Sequence, residues 1–174
     1  LPILLTSHHN HPITTMIASI RSVFTFVFAL LLVSVVSAGT NQEGLAFLAK
    51  KATEEGVVKL ESGMLYKELS PGKGSGKKAK HDTPCVCHYA GILIDGTEFD
   101  SSYKRGSPLT FAPNQVIKGW TEAMQLMKVG ATWELVCPPE IAYGARAMGS
   151  RIPAYSVLVF KMEMIKCRGV KSEL

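Results

Sequence analysis

The amino-acid sequence predicts an α+β fold: one antiparallel sheet half-wrapped around one short helix, preceded by an N-terminal amphipathic helix. Three observations predict it. Residues 131–137 and 157–167 alternate apolar and polar side chains with a period of two, the pattern of half-buried strands. Asp95-Gly96, set between β-rich runs, is a strong hairpin signal because both residues tolerate positive φ. The main body carries a single helical repeat, Trp120, Met124 and Met127 at i, i+4 and i+7.

Taken in order, residues 41–58 place Leu45, Leu48, Ala49, Ala52 and Val57 at helical spacing, with Asn41 as a capping residue, and predict one amphipathic helix. Met64, Tyr66 and Leu69 mark a first strand, ended by Pro71-Gly72 and a basic loop. Residues 84–93 form a β-rich run, Asp95-Gly96 turns the chain, and 97–99 return. An irregular stretch over 100–108 and a short strand at 109–111 lead into a helix over 117–127, which Gly130 stops. Of the last two strands, one places Trp133 and Leu135 on a single face, and the other Leu158, Phe160, Met162 and Met164.

Flanking segments are read separately. Residues 1–15, with His8, His9 and His11, are an upstream segment before a candidate start at Met16 rather than a metal site. Residues 16–38 have the layout of a signal peptide: Arg21, an apolar run over 23–36, then Ser37 and Ala38. Cleavage after Ala38 would yield a secreted chain; a retained anchor is the competing reading. The domain plan continues with a helical extension over 39–62, a main domain over 63–168 and a tail over 169–174. Lys171, Ser172, Glu173 and Leu174 loosely match a retention signal, which makes the ER lumen the alternative location.

Charge and cysteines narrow the classes. The net charge of +5 comes largely from the loop containing Lys73, Lys77, Lys78 and Lys80. With no interleaved aromatics and with export expected, that loop reads as solvated, and nucleic acid is not an expected partner. Cys85, Cys87, Cys137 and Cys167 allow three full pairings among which the sequence does not choose; buried free thiols are the favoured reading. There is no GxSxG, HExxH, P-loop or dinucleotide fingerprint, and beyond residue 38 only His81 and His88 could serve as imidazole ligands. Neither lies in a ligand pattern, so no cofactor and no metal are expected.

What the sequence supplies instead is aromatic. Tyr89, Phe99, Phe111, Trp120, Tyr143 and Phe160 fall at the ends of different elements. Trp120 follows Gly119 at the mouth of a helix, and Tyr143 stands in a loop between Pro138-Pro139 and Gly144; loop aromatics on a rigid sheet point to binding. Asp100, within the run GTEFDSS, would be an isolated charge in that apolar setting and costly to bury unpaired. It is therefore expected to accept a hydrogen bond from the Tyr89 or Tyr143 hydroxyl, or from Ser101 or Ser102.

From about Thr83 to Arg168 the chain resembles the FKBP-type peptidyl-prolyl isomerases. The motifs are Val86-Cys-His-Tyr89-Ala-Gly91, Asp95-Gly96-Thr-Glu-Phe99-Asp100-Ser101-Ser102, Val116-Ile117-Lys-Gly119-Trp120, Pro139-Glu-Ile-Ala-Tyr143-Gly144, and Ile152-Pro153 followed by Leu158-Val159-Phe160. The helical extension and Ser62-Gly63-Met64-Leu65-Tyr66 are similar to the secreted macrophage infectivity potentiator branch. The resemblance implies cis/trans isomerisation of X-Pro bonds, without metal or cofactor, and binding of tacrolimus and rapamycin. It implies catalytic roles for Asp100, Tyr143 and Tyr89. Substrate- and macrolide-binding roles pass to Phe99, Arg105, Leu109, Phe111, Gln115, Val116, Ile117, Trp120, Ile152 and Phe160, with Trp120 as the pocket floor. Expected partners are proline-containing polypeptides, the macrolides and host proteins, and the chain is expected to be a monomer. Arg151, Ala154 and Leu109 depart from the common family pattern, which bears on specificity. The alternative is a peptide- or host-protein-binding module with little turnover.

Overall fold

The structure is a computed structural model and describes residues 40–73 and 78–170. The upstream segment, the signal peptide, part of the basic loop and the retention-like tail lie outside the described residues.

Seven strands form one antiparallel sheet: β1 (Val57–Lys59), β2 (Leu65–Ser70), β3 (Cys85–Leu93), β4 (Glu98–Ser101), β5 (Leu109–Phe111), β6 (Thr132–Cys137) and β7 (Leu158–Cys167). Their order is β1-β2-β6-β7-β3-β4, and β5 also pairs with β3. β3 therefore has two partners along one edge. Its N-terminal end, from Cys85 to Cys87, meets β5, and its C-terminal end, from Ala90 to Ile92, meets β4. The Asp95-Gly96 turn joins β3 to β4, with Gly96 at φ +87° as the hairpin signal required.

Helix α2 (Lys118–Leu126) packs Trp120, Ala123 and Met124 into the concave side of the sheet, against Leu135, Leu158, Phe160, Met162 and Met164. The close approach depends on Gly119: a Cβ there would lie 2.6 Å from Cys137 Sγ. Alternation in β7 thus gives the core its floor, and the one short helix fills it.

The first helix departs from its sequence reading. Helix α1 spans Gln42–Lys51, capped by Asn41, whose side chain accepts from Gly44 N at 2.7 Å. It ends seven residues before position 58, and Val57 starts an edge strand instead. Gly56, at φ +78°, redirects the chain, and the β-branched pair Val57-Val58 suits a ladder better than a helix. The packing face is also shifted. Gly44, Phe47, Leu48 and Lys51 face the sheet, while Ala49 and Ala52 are exposed. Gly44 lets the helix approach closely, since a Cβ would meet Val157 Cγ2 at 2.9 Å. Phe47 and Leu48 cover Leu65, Val136, Val157 and Val159 on the convex side, and Lys51 ties to Glu134 of β6 at 2.7 Å.

The cysteine reading is corrected as well. Cys85 and Cys167 are disulfide-bonded, whereas Cys87 and Cys137 are buried free thiols. Cys85 and Cys167 face each other directly across the β3–β7 ladder, a register that sequence spacing does not reveal.

Candidate functional site

Strand alternation builds the site. In β3 the inward positions are Cys85, Cys87, Tyr89 and Gly91. Gly91 makes room: a Cβ there would come within 2.5 Å of the Phe99 ring and 3.0 Å of Phe160. Phe99, inward on β4, consequently lies against the bare backbone of β3 and meets Phe160 edge-to-face at 5.7 Å. Tyr89 is fixed by Ser102, which is fully buried just beyond β4. Its hydroxyl accepts from Tyr89 N at 2.7 Å and donates to Tyr89 O at 3.1 Å, beside the backbone bond from Ser102 N to that carbonyl at 2.9 Å, so the side chain completes the ladder where β4 ends.

Trp120, in the first turn of α2, sits at the centre of an aromatic cluster. Tyr89 and Phe160 approach it edge-on at 4.9 and 5.0 Å, and Phe111 tilts against it at 5.4 Å. Above these rings opens a cavity of about 450 Å³. Tyr89, Phe99 and Asp100 wall it from β3 and β4, Leu109 and Phe111 from β5, Phe160 from β7 and Tyr143 from the loop after β6. Gln115, Val116 and Ile117 enter from the single-turn helix Pro113–Gln115 and the approach to α2. The Gln115 side chain accepts from Ala112 N at 2.8 Å, which pins that turn.

Two residues from the expected set are placed differently. Ile152 is buried in the core cluster and lines no part of the cavity. Its backbone pairs with Met148 in an isolated bridge. Arg105 also lies outside the lining and acts on it through other residues. Its guanidinium donates to Asp100 Oδ1 and, at 2.9 Å, to the Tyr89 hydroxyl.

Asp100 is the centre of the polar wall. The Tyr89 hydroxyl donates to its Oδ2 at 2.5 Å while Arg105 takes the other oxygen. Partial burial pushes the Asp100 carboxyl upward, but the bonds from Tyr89 and Arg105 outweigh it and hold the group below the usual carboxylate range. The phenols move the other way. Burial, then the Asp100 carboxylate, raises both Tyr89 and Tyr143, and Arg105 offsets part of the effect at Tyr89. At neutral pH the wall therefore presents one carboxylate and two protonated phenols, with the Arg105 guanidinium bonded to the carboxylate from outside the lining. Among the described residues no group of three metal-ligating side chains converges.

Two contacts lay beyond the sequence reading. Arg105 as a partner of Asp100 depends on a turn over residues 102–106 that doubles the chain back, and its only trace in the sequence is Gly106. Arg151 donates from Nη1 to Phe99 O at 3.0 Å, tying a distant loop to the outer edge of β4.

Over most of its length the chain matches known proteins. Residues 75–165 match the family model described as FKBP-type peptidyl-prolyl cis-trans isomerase, and residues 34–67 match the domain found amino-terminal to it. The chain is 48% identical over 126 residues to the "Macrophage infectivity potentiator" of Trypanosoma cruzi, covering 72% of this chain and 63% of that protein. It is 48% identical over 124 residues to the "FKBP-type 22 kDa peptidyl-prolyl cis-trans isomerase" of Escherichia coli, covering 71% and 59%. The crystal structure of FkpA from Escherichia coli superposes with a TM-score of 0.68 at 42% identity, covering 72% of this chain and 57% of that one. A peptidyl-prolyl isomerase structure from Pseudomonas syringae gives 0.66 at 38% identity, covering 72% and 90%. The chain thus spans roughly three fifths of the length of the two curated relatives.

Proposed function

Because the chain belongs to the FKBP-type peptidyl-prolyl cis-trans isomerases, we propose that it accelerates rotation about X-Pro peptide bonds within the Trp120 cavity. The observation that carries this reading is the cavity itself: a ring-walled hollow of about 450 Å³ whose wall carboxylate, Asp100, is already satisfied by Tyr89 and Arg105.

Such a site suits a reaction that breaks no covalent bond. Rotation is opposed by amide resonance, a barrier of about 18–20 kcal/mol, and resonance gives the planar amide more charge separation than the twisted one. An apolar pocket therefore disfavours the planar ground state relative to the twisted state. The proline ring would rest on Trp120 between Tyr89, Phe99 and Phe160. Tyr143, kept protonated, would donate to a substrate carbonyl and hold the chain in a turn as the bond rotates. Asp100, fixed as a carboxylate by Tyr89 and Arg105, would supply a fixed field beside the rotating bond. Neither group has to transfer a proton.

The same cavity is the proposed site for tacrolimus and rapamycin. A monomer is favoured because α1 spends its apolar face on its own sheet. Secretion rests on the signal-like layout of residues 16–38, with the ER lumen as the alternative from the tail. The test is an isomerisation assay on residues 39–174 with a proline-containing peptide. Acceleration abolished by tacrolimus is expected, and no acceleration at micromolar protein would sink the reading.

A further inference from the structure

We propose that Arg151 is a specificity-determining residue that selects prolines flanked by an acidic side chain. The inference rests on the isomerase reading and concerns which substrates the same cavity prefers.

Position comes first. Phe99 is a wall of the cavity, and Arg151 Nη1 donates to its carbonyl oxygen at 3.0 Å. The pairing of β4 with β3 runs through Asp100 and Glu98 and skips Phe99, where the register shifts. That irregularity leaves the Phe99 carbonyl on the free edge of β4, and a guanidinium from the loop over 144–157 satisfies it. The loop is itself braced by the Met148–Ile152 bridge and by Tyr155 N donating to Gly144 O at 2.8 Å. Arg151 is exposed, yet its head group is anchored beside the cavity wall rather than swinging freely.

Charge comes second. Around the cavity the carboxylate that faces inward is Asp100, and Arg105 neutralises it. Glu98, next along β4, pairs with Lys104 at 2.8 Å. Among the described residues no carboxylate pairs with Arg151. Its fork spends a donor on Phe99 and has others left for a carboxylate, in the bidentate geometry that guanidinium favours. With Asp100 and Glu98 matched, Arg151 leaves the β4 side of the opening with an uncompensated positive charge. Arg151 is not itself a lining residue, but it is bonded to one, so where a polypeptide leaves the cavity past Phe99 an acidic residue next to the proline gains an ion pair and a basic one meets repulsion.

The test compares kcat/KM for matched peptides carrying Glu, Leu or Lys immediately before the proline, and a second set with the same residues immediately after it. The protein is used intact and as Arg151→Leu and Arg151→Lys. In at least one set the native protein is expected to favour Glu over Leu, and Leu over Lys, by about threefold per step, the scale of an exposed ion pair. Arg151→Leu is expected to abolish the order while leaving the Leu peptide within about twofold, and Arg151→Lys to keep it in part. Raising the salt concentration should flatten the native order and leave Arg151→Leu unmoved, which a purely structural role for Arg151 would not produce. Acceleration of every peptide with no charge order in either set overturns the proposal and leaves the isomerase reading standing. An order that survives Arg151→Leu overturns it too. Failure to accelerate any peptide rejects the isomerase reading itself, and this inference with it.

Discussion

The Tyr89 hydroxyl donates to Asp100 Oδ2 at 2.5 Å, from a strand position whose backbone is bracketed by the Ser102 hydroxyl. A charged acceptor makes such a bond worth about 1.5–3 kcal/mol, and the partial exposure of Asp100 favours the lower end. Tyr89→Phe is therefore expected to lower kcat/KM by about tenfold in the peptide assay, with Asp100→Ala at least as costly. Unchanged kcat/KM in both variants would remove this wall from the proposed mechanism.

Asp100 also fixes an acid limit. Its carboxyl is held below the ordinary value of 3.8 in the folded chain, so its contribution to stability is complete above that value and is lost as pH falls through the lower folded one. Thermal melts of the native protein and Asp100→Asn should differ by a constant amount from pH 7 down to pH 5. The gap should close below about pH 4, and a gap that widened on acidification would contradict the sign.

Gly91 is expected to be the least replaceable residue of β3. An added Cβ would sit 2.5 Å from the Phe99 ring, which is wedged between β3 and Phe160. Gly91→Ala should cost about 1–3 kcal/mol, the usual range for overpacking, in urea unfolding. It should also weaken tacrolimus binding, because the ring that must move is a wall of the cavity. An equally stable variant with native affinity would refute the close contact.

The disulfide between Cys85 and Cys167 closes a sequence separation of 82 residues. Replacing both by Ser is expected to lower stability by about 2–5 kcal/mol, with activity retained at temperatures where the variant stays folded, since neither residue touches the cavity. Loss of activity without loss of fold would show that the bridge serves the site.

The two remaining thiols should be silent. Burial pushes Cys87 and Cys137 up to about 12, with Glu122 adding to the effect at Cys137, and thiolate is the reactive form. A thiol reagent at pH 8 should label neither in the native protein and both after denaturation. Rapid labelling of the folded chain would contradict the packing.

Much of this molecule was legible in its sequence, for identifiable reasons. The long strands were readable because β7 alternates apolar and polar side chains from Phe160 to Glu163, and because the β-rich run of β3 ends at an unambiguous turn. Asp95-Gly96 announced its hairpin because its dihedrals are rare for other residues. What stayed hidden depends on contacts distant in sequence. The packing face of α1 centres on Gly44, whose lack of a side chain matters only beside Val157, and no hydrophobic periodicity registers a glycine. The Met148–Ile152 bridge joins two points of one loop, and the Cys85–Cys167 pairing follows from the register of two strands far apart in the chain. That Asp100 needs a donor, with Tyr89 among the candidates, follows from its apolar neighbours in the sequence. The second donor, Arg105, required the turn that follows β4.

The split edge of β3 bears on self-association. Since β4 and β5 divide that edge, the sheet ends on this side in two offset strands of four and three residues, and on the other in the three residues of β1. Arg151 further occupies the outward carbonyl of Phe99. An unfolded chain arriving at either border finds too few consecutive free backbone groups to extend the sheet. A protein whose proposed clients are unfolded polypeptides can thus handle them through side chains in its cavity without becoming a template for their aggregation.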